Sequence, residues 1–288
     1  MTDTIPFDRS HPGHYGCCIT LSPLVRRVVA NNPGPMTFTG TVTHLIGRGE
    51  VTVLDPGPDD PDHISALLDA TAGERITRIL ITHTHRDHID AVEALRAFTG
   101  AEVAGCSPDP ASANGGYRPD LILSDGDMIG GRDWTLEAVA TPGHAPNHLC
   151  FALRDENALF SGDHVMAWST TVVIPPAGSM RDYRASLLRL LSRPERVYYP
   201  AHGPSLADGP DFVHLLLAHR ERREAQILEA LSGDAASAED LVLQLYSGLG
   251  PDLRGAAALS VLAHLEELHQ RGLVRQSPDG DGVRYMLA

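Results

Sequence analysis

Thr82-His83-Thr84-His85-Arg86-Asp87-His88-Ile89-Asp90-Ala91 holds four candidate metal ligands within six residues. The apolar run Ile79-Leu80-Ile81 leads into it and, being short and β-branched, reads as a buried strand. A helical pattern follows, with Ile89, Val92, Ala94 and Leu95 on one face. The ligands therefore fall at a strand end, in a loop, at the mouth of a helix. Imidazoles there can turn inward around a cation without giving up strand hydrogen bonds. His83 and His85 are two apart and can share one ion. Asp87 and His88 are adjacent, point differently and can serve a second. Neutral imidazole and carboxylate suit zinc, iron(II) or manganese better than copper(I). The plain alternative is a His-rich surface loop.

Outward from this stretch, residues 1–20 carry no clear assignment. Residues 22–30 alternate loosely as a first strand, and Asn31-Asn32-Pro33-Gly34-Pro35 is a turn. Strands are expected over 37–46 and 51–54 about a Gly47-Arg48-Gly49 hairpin, then a helix over 63–72. Downstream, 102–104 reads as a strand, 107–119 as a loop and Asp125-Gly126-Asp127 as a turn. Further strands fall over 134–140, 149–153, 158–161 and 196–199, with a helix over 180–192. Strands punctuated by helices fit an α+β fold of two packed sheets with helices on the outside faces.

Helical periodicity takes over from Asp211, across 212–231, 237–246 and 255–271, the last stopped by Gly272. A hairpin follows, with 273–275 and 283–287 flanking Asp279-Gly280-Asp281-Gly282. Helices followed by a hairpin make a winged-helix-like module, so the expected division is 1–210 for a catalytic domain and 211–288 for this module. Residues 211–288 carry 7 Arg against 12 Asp and Glu, a net of −5. That charge favours a structural, dimerising or substrate-covering role over nucleic-acid binding.

The whole chain carries −14, with 23 basic residues, all of them Arg. A Lys-free, Ala- and Arg-rich composition suggests a GC-rich bacterial genome. The acidic balance argues against tight nonspecific binding to nucleic acid. No apolar run reaches the length of a membrane span, and residues 1–9 lack a signal-peptide core, so the expected location is cytoplasmic. Cys17, Cys18, Cys106 and Cys150 form no CxxC pair and read as free thiols, mostly packing residues.

Three later motifs each put a ligand after an apolar run and beside Gly or Pro: Thr141-Pro142-Gly143-His144, Phe160-Ser161-Gly162-Asp163 and Tyr199-Pro200-Ala201-His202-Gly203. Chance scatter of His would not favour strand ends. With these residues the sequence resembles the metallo-β-lactamase superfamily of hydrolases, over about residues 20–205. The resemblance implies a four-layer αβ/βα sandwich with a two-metal site at one edge. It implies that His83, His85 and His144 hold one divalent ion, that Asp87, His88 and His202 hold the second, and that Asp163 bridges them. Zinc is the first expectation for both ions. Asp55, in Leu54-Asp55-Pro56-Gly57, resembles the family carboxylate that orients a ligand His; the plain reading is a turn residue.

Asn32-Pro33-Gly34-Pro35-Met36-Thr37, the run from Ser161-Gly162-Asp163 to Thr170-Thr171-Val172, and His219-Arg220-Glu221-Arg222 look like the β-lactamase-like protein type 2 branch. That branch carries a C-terminal winged-helix-like domain and includes a mitochondrial endoribonuclease. The expected chemistry is attack by a metal-bridging hydroxide on a small ester, thioester, lactone or amide. Asp87 is the candidate catalytic residue, orienting the attacking water. RNA is the alternative substrate, the oligomeric state is left open with a homodimer among the options, and no membrane partner is expected. A one-iron dioxygenase would need fewer ligands than are present, and an antibiotic-hydrolysing lactamase fits poorly with the missing export signal and the extra domain. Among other residues, Met166, Trp168, Thr170 and Thr171 are candidate pocket residues. His148 is either a ligand partner or packed, His164 should point away from Asp163, and His63 and His264 read as structural.

Overall fold

Period-two alternation in the strands sends side chains into two different cores. The computed structural model describes residues 5–109, 117–248, 250–279 and 282–288. Its first sheet has seven strands in chain order: β1 (Ile19–Thr20), β2 (Val25–Val29), β3 (Val42–Ile46), β4 (Glu50–Leu54), β5 (Arg75–Ile81), β6 (Glu102–Gly105) and β7 (Leu121–Ile122). Pairing is antiparallel from β1 to β4 and parallel from β4 to β7. The second sheet contains β8 (Met128–Gly130), β9 (Thr135–Ala140), β10 (Leu149–Leu153), β11 (Ala158–Gly162) and β12 (Val197–Pro200), in the order β12-β11-β10-β9-β8.

On β10, Leu149, Phe151 and Leu153 enter the core between the sheets with Ile46, Leu54 and Leu80. Cys150 and Ala152 point the other way, into a second core with Tyr183 and Leu187 of α4 (Met180–Leu191). Such alternation is what a strand covered on both faces requires. α1 (Pro61–Ala70) and α3 (Val92–Thr99) cover the first sheet through Ile64, Leu67, Val92 and Leu95. The layers therefore run αβ/βα, the sandwich that the sequence implies. All four cysteines are free, with Cys106 and Cys150 buried and Cys17 and Cys18 exposed.

Two expected elements are altered. The strand over 37–46 shortens to β3, because Gly34 N–H bonds to Phe38 C=O (3.1 Å) and Gly40 N–H to Thr37 C=O (2.9 Å), curling the chain into a turn. The helix after the ligand stretch splits into the single turn α2 (Arg86–Ile89) and α3. The Ala91 N–H donates to Gly57 C=O (3.0 Å), while the Asp87 carbonyl accepts the Thr41 hydroxyl (3.1 Å). These two bonds replace one rung of the helical ladder. Residues 1–4, 110–116 of the expected loop, and 280–281 at the hairpin tip lie outside the described residues.

The C-terminal part comprises α5 (Gly209–Ala230), α6 (Ala238–Leu245), α7 (Pro251–Gln270) and the hairpin β13 (Val274–Asp279) and β14 (Gly282–Leu287). Its own core contains Ile227, Leu241, Val242, Leu265, Leu268 and Tyr285. α5 serves two cores, since Phe212, Val213 and Leu216 pack against the second sheet's outer face. Across the same contact Arg184 of α4 pairs with Glu224 (2.8 Å) and Glu267 (3.2 Å). Among the described residues no helix is long and apolar enough to cross a membrane.

On β9, Glu137 accepts from Arg193 (2.8 Å) and Arg154 (2.9 Å). Arg193 above all, then Arg154, outweighs its partial burial and pulls its carboxyl from the ordinary 4.5 to about 2. A depressed carboxyl stabilises above its unfolded value and loses that contribution as pH falls through the folded one. Glu137→Gln should therefore be less stable than the native chain at pH 7, with the gap narrowing below pH 4.5. Urea midpoints at neutral and acid pH measure this; a gap independent of pH would contradict it.

Candidate metal centre

The site is assembled from the C-terminal ends of strands. β5 delivers Thr82 and His83, and α2 begins with His85 as its N-cap and carries Asp87 and His88. The turn after β9 presents His144, β11 ends at Gly162 beside Asp163, and β12 leads to His202. Ladder-like bonds tie these ends together: Leu149 N–H donates to Thr82 C=O (2.9 Å), Ala201 N–H to Gly162 C=O (3.0 Å) and Val42 N–H to Ala201 C=O (2.7 Å).

All seven sequence-expected residues meet in two adjoining groups: His83, His85, His144 and Asp163 in one, Asp87, His88 and His202 in the other. In the first, His85 Nδ1 lies 2.9 Å from His83 Nε2 and 3.0 Å from His144 Nε2. In the second, Asp87 Oδ2 lies 3.2 Å from His202 Nε2 and 3.5 Å from His88 Nε2. Asp163 faces both: Oδ2 is 3.6 Å from His144 Nε2, and Oδ1 is 3.4 Å from His202 Nε2 and 3.6 Å from His88 Nε2. His88 Nε2, His202 Nε2 and Asp163 Oδ1 are buried without a hydrogen-bond partner. Buried polar atoms are almost always satisfied, so convergent lone pairs of this kind fit a cation.

The other nitrogen of several rings is bonded on the outside, which fixes each ring and aims its Nε2 inward. His88 Nδ1 donates to Asp55 Oδ2 (3.0 Å), His144 Nδ1 to Val172 C=O (2.8 Å) and His202 Nδ1 to Gly40 C=O (3.3 Å). His83 Nδ1 donates to Thr82 Oγ1 (3.0 Å), whose own hydrogen goes to Asp55 Oδ2 (2.7 Å). Asp55 thus orients the His88 ring directly and the His83 ring through Thr82, while Thr82 N–H donates to its Oδ1 (2.9 Å). Its φ of 50° is a left-handed conformation that Asp tolerates, so it is a turn residue as well.

Electrostatics separates the two groups. Burial first, then the neighbouring imidazoles, keeps His83 well below the ordinary histidine value and His85 at about 4. These rings are neutral and offer lone pairs. For His202, burial is outweighed by Asp163 and Asp87, which raise it to about 10; for His88, it is outweighed by Asp87, Asp163 and Asp55. Burial would likewise raise Asp87 and Asp163, but His88 and His202 hold both low. In the second group, protons therefore occupy a place suited to a positive ion.

Several residues outside the expected set support it. His148 Nε2 accepts from Asp163 N–H (3.2 Å), and its Nδ1 bonds Thr141 Oγ1 (2.8 Å), so it is a packed residue that also fixes a ligand. Gly162 makes room for it, since a Cβ there would lie 2.5 Å from His148 Nε2. His164 packs edge-on against Tyr183 at 4.8 Å. Thr171 does not line the cleft as expected: it is buried, and its hydroxyl donates to the carbonyls of Asp163 (2.7 Å) and His164 (3.1 Å). Arg220 of α5 donates to Thr171 C=O and lies 5.2 Å over the Tyr183 ring. Neither contact has a local sequence signal, because both depend on α5 folding back over the sandwich. Met166, Trp168 and Thr170 do line a cleft of about 420 Å³ with His85, Asp87, His144 and Asp163.

Residues 36–202 match the metallo-beta-lactamase superfamily, and 237–282 match the beta-lactamase associated winged helix domain. The chain is 34% identical to an atrochrysone carboxyl ACP thioesterase of Aspergillus fumigatus, covering 81% of this chain and 76% of that one. It is 31% identical to a beta-lactamase-like protein 2 homolog of Caenorhabditis elegans, covering 88% and 87%. Its match to the lactamase-like protein adaB of Aspergillus niger, at 36% identity, covers 74% of this chain and 65% of that protein. A beta-lactamase domain protein from Burkholderia ambifaria shares the fold at a TM-score of 0.82 and 22% identity, over 99% of this chain and 97% of that one. With this clustering of His and Asp and these matches, the chain belongs to the metallo-beta-lactamase superfamily and carries its associated winged-helix domain.

Proposed function

We propose that the chain hydrolyses small acyl thioesters with two divalent ions, one held by His83, His85 and His144 and one by Asp87, His88 and His202, with Asp163 shared. Residues 1–210 form the catalytic unit in this reading and 211–288 the associated module. One observation carries it: the two oxygens of Asp163 face two separate imidazole sets, with Oδ1 and two Nε2 atoms buried and unpartnered. Zinc is the first assignment; manganese and iron(II) suit the same donors. The thioester is chosen from the wider group of esters, lactones and amides because the Aspergillus fumigatus relative is named for thioester cleavage. RNA is disfavoured by the net −5 of residues 211–288, where phosphate contacts would need cations.

Bound divalent ions supply a polarised water nucleophile and neutralise charge developing on the attacked carbonyl oxygen. Asp87 remains ionised beside His88 and His202 and accepts a hydrogen bond from the attacking water, orienting it. His83 and His85, kept neutral by burial and their neighbours, present lone pairs. Met166 and Trp168 line the cleft with carbon and keep bulk water from the thioester.

Protein purified without added metal should carry about two zinc or manganese ions per chain by plasma mass spectrometry. Chelation should abolish thioester turnover, and Asp87→Asn should lower kcat by about 10²–10⁴-fold. Full turnover after complete chelation, or a single iron per chain, would sink the reading. Asp55→Asn should weaken metal retention by about 10–100-fold in chelator competition, with the far-ultraviolet circular dichroism unchanged. Unchanged retention would reduce Asp55 to a turn residue.

A further inference from the structure

We propose that the cleft selects a substrate with an apolar, flat acyl or thiol-side body and an anionic group at its far end, read by Arg9. The proposal rests on the hydrolase reading above and names the substrate chemistry of that site.

The cleft that His85, Asp87, His144 and Asp163 line is otherwise lined largely by carbon-rich side chains. Trp168 and Phe38 form one wall, stacked at 4.7 Å and 9°. Trp168 is also seated against Gly203, where a Cβ would come within 2.9 Å of its Cδ1. This wall is therefore fixed from two sides and offers a preformed apolar surface. Leu253 and Ala256, at the start of α7, add carbon to the lining, so the C-terminal module contributes to the cleft. A volume of about 420 Å³ admits a small molecule or one arm of a carrier.

Arg9 is the one arginine lining this cleft among the described residues. Its segment is anchored on both sides of the rim: Asp8 N–H donates to Ala167 C=O (3.0 Å), and Phe7 packs edge-on against Phe212 of α5 at 6.2 Å. Arg26, Arg184 and Arg193 are engaged with carboxylates, whereas Arg9 has no hydrogen bond or ion pair among the described residues. In a chain of net charge −14, an exposed, unengaged guanidinium in the lining of an apolar cleft, carried on a segment anchored at Phe7 and Asp8, is complementary to an anionic oxygen group. A single cation suits one such group, whereas a nucleic-acid backbone would need several. The shared chemistry has two sources, a carboxylate on the acyl group or a phosphate on the thiol side.

The metal-loaded enzyme would be given three thioesters: 2-naphthoyl-N-acetylcysteamine, its analogue with a carboxylate on the distal ring, and 2-naphthoyl-phosphopantetheine. Arg9→Gln should lower kcat/KM about tenfold for the carboxylate or the phosphate substrate, identifying the source, and leave the neutral one within about twofold. Equal effects on all three, or none, would overturn the proposal. Calorimetric binding of 2-naphthoate and neutral 2-naphthamide to the metal-free chain separates this from hydrolysis. Naphthoate should bind about tenfold tighter, and Arg9→Gln should equalise the two. No preference in the native chain, or one that survives Arg9→Gln, overturns the anion site. Preserved preference for naphthoate with no turnover of any thioester overturns only the hydrolase reading.

Discussion

Burying Asp163 beside Asp87 is the constraint on which the rest of this structure depends. Asp163 is withdrawn from water and Asp87 is partly so; the two carboxylates repel each other, and the hydration lost on burial is not replaced by apolar packing. The imidazoles of His88 and His202 answer that charge directly, with Nε2 atoms 3.2–3.6 Å from the carboxylate oxygens. Those rings must then be held rigidly. Asp55 holds His88 and the Gly40 carbonyl holds His202 from outside, as Thr82 and the Val172 carbonyl hold His83 and His144, and Asp55 and Thr82 directly follow strands packed in the core between the sheets. Sequence pattern, packing and electrostatics thus converge on one arrangement at one sheet edge.

Much of this was legible in the residues. The spacing of His83, His85, Asp87 and His88, and the recurrence of His144, Asp163 and His202 at strand ends, are local patterns that hold whatever the rest of the chain does. The alternation in β10 likewise marks a strand with two buried faces. Contacts made at long sequence separation were not legible. Arg220 reaches Thr171 across 49 positions, and nothing around Arg220 indicates the carbonyl it will meet. Thr171 looked like a pocket residue because of its place in the loop, but its hydroxyl serves backbone carbonyls. The apolar spacing after the ligand stretch is continuous and by itself reads as one unbroken helix. The Gly57 carbonyl interrupts it from a segment that periodicity does not register.

The C-terminal module is joined to the catalytic sandwich by apolar and polar contacts. α5 shares its apolar face between two cores, and Arg184 binds Glu224 and Glu267 across the joint. Side chains of α7 reach the cleft itself. This winged-helix domain, acidic in balance, is built into the cleft of the sandwich.

Arg220 gives that union a direction in time. A chain is synthesised from its N-terminus, and His202, the last of the seven candidate ligands, emerges before α5 begins at Gly209. Every ligand is thus available before the strut that steadies the Asp163–Val172 loop exists. The nascent chain passes through an interval in which the donors are present but the loop bearing Asp163, and the carbonyl that orients His144, lack their support. Support for the loop that bears Asp163 therefore waits on α5, the helix that follows His202 in the chain.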